Sequence, residues 1–136
     1  MRLTNSLVAV IGLLATTGPL GAAPPLDCAR ASSTAEISFC AEIDLKRADA
    51  ELNVVWRQAL GAIDRQSQMD TATRAKWATA LRASQRAWIA FRDADCGEPI
   101  GYEWYGGTGM SLAVLTCQME KTRARSAELK QRYLDR

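Results

Sequence analysis

The residues able to do chemistry are few in kind. The chain has no histidine, so it offers neither an imidazole base nor an imidazole metal ligand. Its four cysteines stand at 28, 40, 96 and 117. Cys96 and Cys117 bracket a stretch, "CGEPIGYEWYGGTGMSLAVLTC", with five glycines and the aromatics Tyr102, Trp104 and Tyr105. Glu36, Glu42, Asp44, Asp93, Asp95, Glu98 and Glu103 are the carboxylates to consider for a glycoside hydrolase. That reaction needs two carboxyls at a fixed separation across a cleft, and no pair here is singled out by its context. A cysteine nucleophile would lack a histidine base, and all four thiols can pair. Neither local cysteine pair has C-x-x-C spacing, which weakens a metal site. The residues therefore point to a non-enzymatic protein with no cofactor and no metal. Loop 97–110 is the strongest functional candidate. Tyr and Trp supply contact area at interfaces, and glycine lets a backbone approach closely. The competing reading is that Tyr102, Trp104 and Tyr105 fold back to cap a short helical core.

The chain is long enough for one domain and too short for two ordinary ones, with 136 residues. Residues 1–23 read as an export signal. Arg2 supplies positive charge, "SLVAVIGLLA" is the apolar run, and "TTGPLGAA" brings small residues and helix breakers. A membrane span needs about 20 apolar residues, so the run is short for one. Cleavage after Ala22 or Ala23 leaves about 113 residues, read as a single domain over 24–136. It removes Arg2 and no acid, taking the formal charge from +2 to +1. A near-neutral surface of mixed sign argues against nucleic acid. It also gives no strong reason to expect binding to anionic membranes, so no stable membrane insertion is expected after cleavage. In an exported domain, Cys28, Cys40, Cys96 and Cys117 read as disulfides. Three connectivities are possible. Cys28–Cys40 and Cys96–Cys117 are favoured because each pair flanks one local loop beside a predicted helix. The expected location is periplasmic or secreted.

Three amphipathic helices must carry these groups. Ser33 and Glu36 are spaced as a capping box. From there Ile37, Ala41, Leu45, Ala48, Leu52, Val55, Ala59 and Ile63 form one stripe, predicting a helix over about 34–64. A second helix runs from Asp70 or Thr71 to about Cys96, with Trp77, Leu81, Ser84, Trp88, Phe91 and Asp95 along it. Gly97 and Pro99 stop it. A third begins between Thr108 and Ser111 and repeats Leu112, Leu115, Met119, Thr122, Ser126, Leu129 and Tyr133. Nothing reads as a strand. The expected fold is all-α, a small antiparallel three-helix bundle with two disulfides. Trp77, Trp88 and Phe91 are expected in its core. The stripes contain several alanines and serines, so the core is thin and disulfides have a structural use.

Asp49 and Asn53 lie on one helical face beside the first stripe. The second helix brings Arg82, Gln85, Arg86 and Arg92. A buried polar network is expected, with Asp49 meeting an arginine and Asn53 meeting Gln85, because buried polar groups must be paired.

Two segments carry a family resemblance. One is "DCARASSTAEISFCAEIDLKRADAELNVVW", with two cysteines twelve positions apart. The other is "LRASQRAWIAFRDADC", with Leu81, Gln85, Trp88, Arg92 and Cys96 in order. With the glycine-rich loop, Cys117 and "TRARSAEL", they resemble the exported bacterial domain that includes the N-terminal domain of LprI-type lysozyme inhibitors. The resemblance covers nearly the whole of residues 24–136. Trp56 departs from it, standing where the family is expected to carry tyrosine. Cys28 follows "PPLD", which is not a lipid-anchor context. The resemblance implies a helical, disulfide-bonded periplasmic or cell-surface protein. It also implies a lysozyme-type muramidase as partner. The loop would block the glycan cleft with its aromatics, and Arg92 and Lys121, the nearest basic residues in sequence, would approach the acidic catalytic pair. The alternative is a cell-envelope structural or adaptor protein that binds another protein or peptidoglycan without inhibition.

Overall fold

A computed structural model describes residues 26–135. The export-signal reading of residues 1–23 lies outside the described residues. The described chain is all helical: a short 3-10 turn over Cys28–Arg30, then α1 (Thr34–Asp64), α2 (Thr71–Asp95), α3 (Glu98–Glu103) and α4 (Met110–Tyr133).

The helix ends follow local chemistry. Ser33 caps α1 by accepting from the Glu36 N–H, while the Glu36 carboxylate accepts from the Ser32 and Ser33 N–H groups. The polar stretch 65–70 ends the apolar stripe, and Asp70 then caps α2 through the Thr73 N–H. Arg74 closes the turn between them by donating to the Gln66 and Met69 carbonyls. The 97–110 segment differs from the expected plain loop. It contains α3, a helix of six residues with Pro99 in its first turn, where a missing N–H costs nothing.

Ala48, Leu52, Val55, Ala59 and Ile63 of α1, Leu81 of α2 and Leu129 of α4 form the buried apolar core. Most close backbone approaches between elements lie between α1 and α4. The seam between them explains this, because Ala48, Ala59, Thr122 and Ser126 are small and buried. α2 stands further off behind larger side chains. Trp77 meets Tyr133, Gln85 meets Arg125, Arg92 meets Asp49 and Thr122, and Cys96 is bonded to Cys117. Position numbers therefore fall along α2 as they rise along α4.

Phe91 is a correction. It was expected in the core, yet it is 54% exposed, with its ring beneath the Lys121 ammonium. Ser84 and Asp95 are exposed as well. The inward face of α2 instead follows Trp77, Leu81, Gln85, Trp88, Arg92 and Cys96. A repeat of alternating fours and threes averages 3.5 residues, whereas a straight helix turns in 3.6. The true face drifts by about 20° per heptad away from such a repeat. Over the length of α2 the drift replaces Phe91 with Arg92, which has partners inside. Ile37, at the other end of the first stripe, is also partly exposed.

Both disulfides are local: Cys28–Cys40 ties the 3-10 turn to the first turns of α1, and Cys96–Cys117 ties the end of α2 to α4. Chain-entropy reasoning assigns roughly 3 kcal/mol to a closed loop of this size.

Hydrogen bonds from the Ser33 and Ser32 backbone hold the Glu36 carboxyl at about 2, well below its ordinary 4.5. A folded-state value below the ordinary one means that the capping box contributes fully above about pH 4.5. That contribution is lost as pH falls towards 2. Glu36→Gln should therefore melt below wild type at pH 7. The difference in melting temperature, followed by circular dichroism, should shrink across that window.

Candidate functional site

Two arginines meet over one tryptophan in the middle of the molecule. Arg92 of α2 lies 5.4 Å from the Trp88 ring centroid and Arg125 of α4 lies 5.9 Å from it. Their side chains are only 13% and 6% exposed. Each is held by three hydrogen bonds. Arg92 donates to Asp49 (2.8 Å), Thr122 (2.9 Å) and Asp93 (2.9 Å). Arg125 donates to Gln85 (3.1 Å), Glu128 (2.7 Å) and Ser84 (3.4 Å). Burial opposes the charge on Arg92, but the hydrogen bonds and charges of Asp93 and Asp49 outweigh it and raise its pKa.

This cluster relocates several residues singled out in the sequence. Asp49 does meet an arginine, and that arginine is Arg92. Gln85 accepts from Arg125 rather than meeting Asn53, because Arg125 projects into the interior beside it. Asn53 and Arg82 are exposed and line a shallow surface depression. Arg92 is engaged in this cluster on three sides. Lys121 is paired with Asp95 at 2.8 Å. Arg125 was missed in the sequence. Its signal was its place one residue from Ser126 and four before Leu129, on the inner face of α4.

The carboxyls that depart from their ordinary range move down. Glu36 does so through its capping bonds, Glu51 through Lys130, and Asp70 through the Thr73 N–H. A glycosidase acid must be raised, so these three are set for structure. Asp95 lies beside Cys96 and Cys117, but the two sulfurs are bonded to each other and offer no thiolate to a metal.

The Cys96–Cys117 bond closes a corner that holds α3 and the three aromatics. Tyr102 and Tyr105 are 77% and 96% exposed, while Trp104 is half-exposed. The Trp104 ring rests on Gly109, where a Cβ would overlap it. The aromatics thus divide: Trp104 braces the start of α4, and the two tyrosines point to solvent. Tyr105 has φ of +49°, in the left-handed region, and Gly106 follows with φ of +67°. Side chains other than glycine pay about 1–3 kcal/mol for such a conformation, and cases cluster at functional sites. An apolar groove of about 620 Å³ lies beneath the tyrosines, between α3 and the first turns of α4.

Residues 27–129 match the family described as "Lysozyme inhibitor LprI". The chain belongs to the LprI lysozyme inhibitor family. It is also 41% identical, over 123 residues and 88% of each chain, to an uncharacterised protein of Rhizobium meliloti (strain 1021). No solved structure matches it. The family match spans both disulfides, the Arg–Trp–Arg cluster and the corner. Among the described residues, no helix is long and apolar enough to cross a membrane.

Two variants probe this arrangement. Arg125→Met leaves buried Gln85 without its donor and should lower stability by about 2–3 kcal/mol. Adding Gln85→Leu removes the orphaned acceptor, so urea unfolding of the double variant should recover part of the loss. Gly109→Ala should push Trp104 off α4. The expected result is displaced Trp104 indole and Tyr105 amide signals by NMR, with the Trp88 signals unchanged.

Proposed function

We propose that the chain is an exported, non-enzymatic inhibitor of a lysozyme-type muramidase. In this reading it is an antiparallel three-helix bundle that presents the disulfide-closed corner to its partner. Family membership supports the partner class. Two disulfides suit an oxidising compartment such as the periplasm or the exterior. The observation that carries the site is Tyr105: almost wholly exposed, in a left-handed conformation, and tethered between two helices. A large aromatic held in a costly conformation without burial stabilises nothing inside the fold, and aromatics of this kind anchor interfaces. Tyr102 stands beside it over the same groove. Preorganisation by the Cys96–Cys117 bond lowers the ordering cost of binding. Arg92 is committed to the interior, so the aromatics carry the contact.

Purified protein with both disulfides intact should slow lysis of peptidoglycan by a c-type lysozyme. Tyr105→Ala and Tyr102→Ala should each weaken inhibition about tenfold or more while melting close to wild type, as hot-spot truncations do. Absence of inhibition at micromolar excess would sink the proposal. Retention on peptidoglycan without lysozyme, together with no inhibition, would instead identify an envelope adaptor.

A further inference from the structure

The disulfide end of the molecule carries two apolar grooves, each walled in part by the first turns of α4. The first is walled by Gly101, Tyr102, Tyr105, Met110 and Val114, and Glu98 is its one charged lining residue. The second, about 650 Å³, is walled by Ile37, Trp104, Leu112 and Thr116, and Glu120 is its one charged lining residue. From Asp93 to Glu120 the sequence holds five acids and no lysine or arginine, although the whole chain has a net charge of +2. Asp93 is met by Arg92 and Asp95 by Lys121. Glu98, Glu103 and Glu120 have no cationic partner among the described residues. Each groove therefore combines apolar walls with one unopposed carboxylate.

This combination selects an occupant. An apolar side chain alone would cover the carboxylate and leave it buried without a partner, which is costly. An acidic surface would be repelled. A lysine or arginine can lay its methylene stem on the apolar wall and bring its head to the carboxylate. The faces of Tyr102, Tyr105 and Trp104 also attract cations. We infer that the corner docks a cationic protein segment whose lysine or arginine side chains enter the two grooves. The inference rests on the reading of the corner as the recognition surface, and it adds the partner's chemistry: the charges that meet it are this chain's carboxylates, Glu98 and Glu120.

The exported chain, isotope-labelled, can be titrated with three probes: a basic c-type lysozyme, a lysine–leucine peptide, and a glutamate–leucine peptide of equal length. Backbone shifts locate binding, and Kd is read at low and high NaCl. The lysozyme and the cationic peptide should move Gly101, Tyr105, Met110 and Leu112, and the acidic peptide should not. Salt should weaken both interactions. Glu98→Gln and Glu120→Gln should each weaken them roughly three- to fivefold, as expected for partly exposed ion pairs. Asp64→Asn, at the far end of α1, should leave Kd unchanged. If lysozyme binds the corner without sensitivity to salt or to either glutamine variant, the inference fails and the inhibitor reading stands. If only the cationic peptide binds there, the inference stands and the inhibitor reading fails. Silence of the corner towards both cationic probes, or an equal response to the acidic peptide, overturns the inference.

Discussion

The stacking of Arg92 and Arg125 around Trp88 is the constraint on which the rest of the fold depends. A buried guanidinium is tolerable only when its donors are met and its flat face is covered. Here the donors reach all three long helices: Asp49 on α1, Gln85 and Asp93 on α2, Thr122 and Glu128 on α4. Satisfying them fixes the register of each helix against the other two. A purely apolar seam of alanine, leucine and valine would tolerate sliding by a turn, whereas this cluster would then leave a charge unpaired in the interior.

The cluster also accounts for the uneven spacing of the helices. α1 and α4 come close because their contact is made by small residues, with Ala59 and Thr122 fully buried. α2 is held away by a tryptophan and two arginine stems, which fill its side of the core with amphipathic rather than aliphatic volume. The apolar core that remains is modest for a chain of this length. The Glu51–Lys130 pair adds a bridge between α1 and α4, but both groups are exposed and solvent screens them. The two disulfides compensate, each closing a short loop at the same end of the molecule.

That end joins a stabilising disulfide to the proposed recognition surface. Cys96 is fully buried, while Tyr102 and Tyr105, a few residues on, face solvent. The bond to Cys117 lets a segment rich in glycine keep a defined shape without a core of its own. Trp104 serves that shape by bracing Gly109, which leaves the tyrosines free of any packing duty. Exposed aromatics on a rigid, acid-bearing corner are suited to binding another macromolecule, which fits a family of lysozyme inhibitors.

Much of this was legible in the sequence. α1 begins at its capping box, a signal hydrogen-bonded within one turn, and α1 and α4 run as far as their apolar stripes do, because such a repeat lies along a single element. Family membership was legible too, in the spacing of the cysteines around Trp88 and Arg92. Other features were decided only by tertiary structure. Phe91 gave way to Arg92 on the inner face of α2, because a polar residue can be buried when partners on two other helices await it. Gln85 took Arg125 rather than Asn53 for the same reason. α3 formed inside a segment without helical periodicity, and the three aromatics divided into one brace and two exposed rings. A sequence specifies patterns that repeat along one element. Which side chain meets which across elements depends on distances that exist only once the helices have packed.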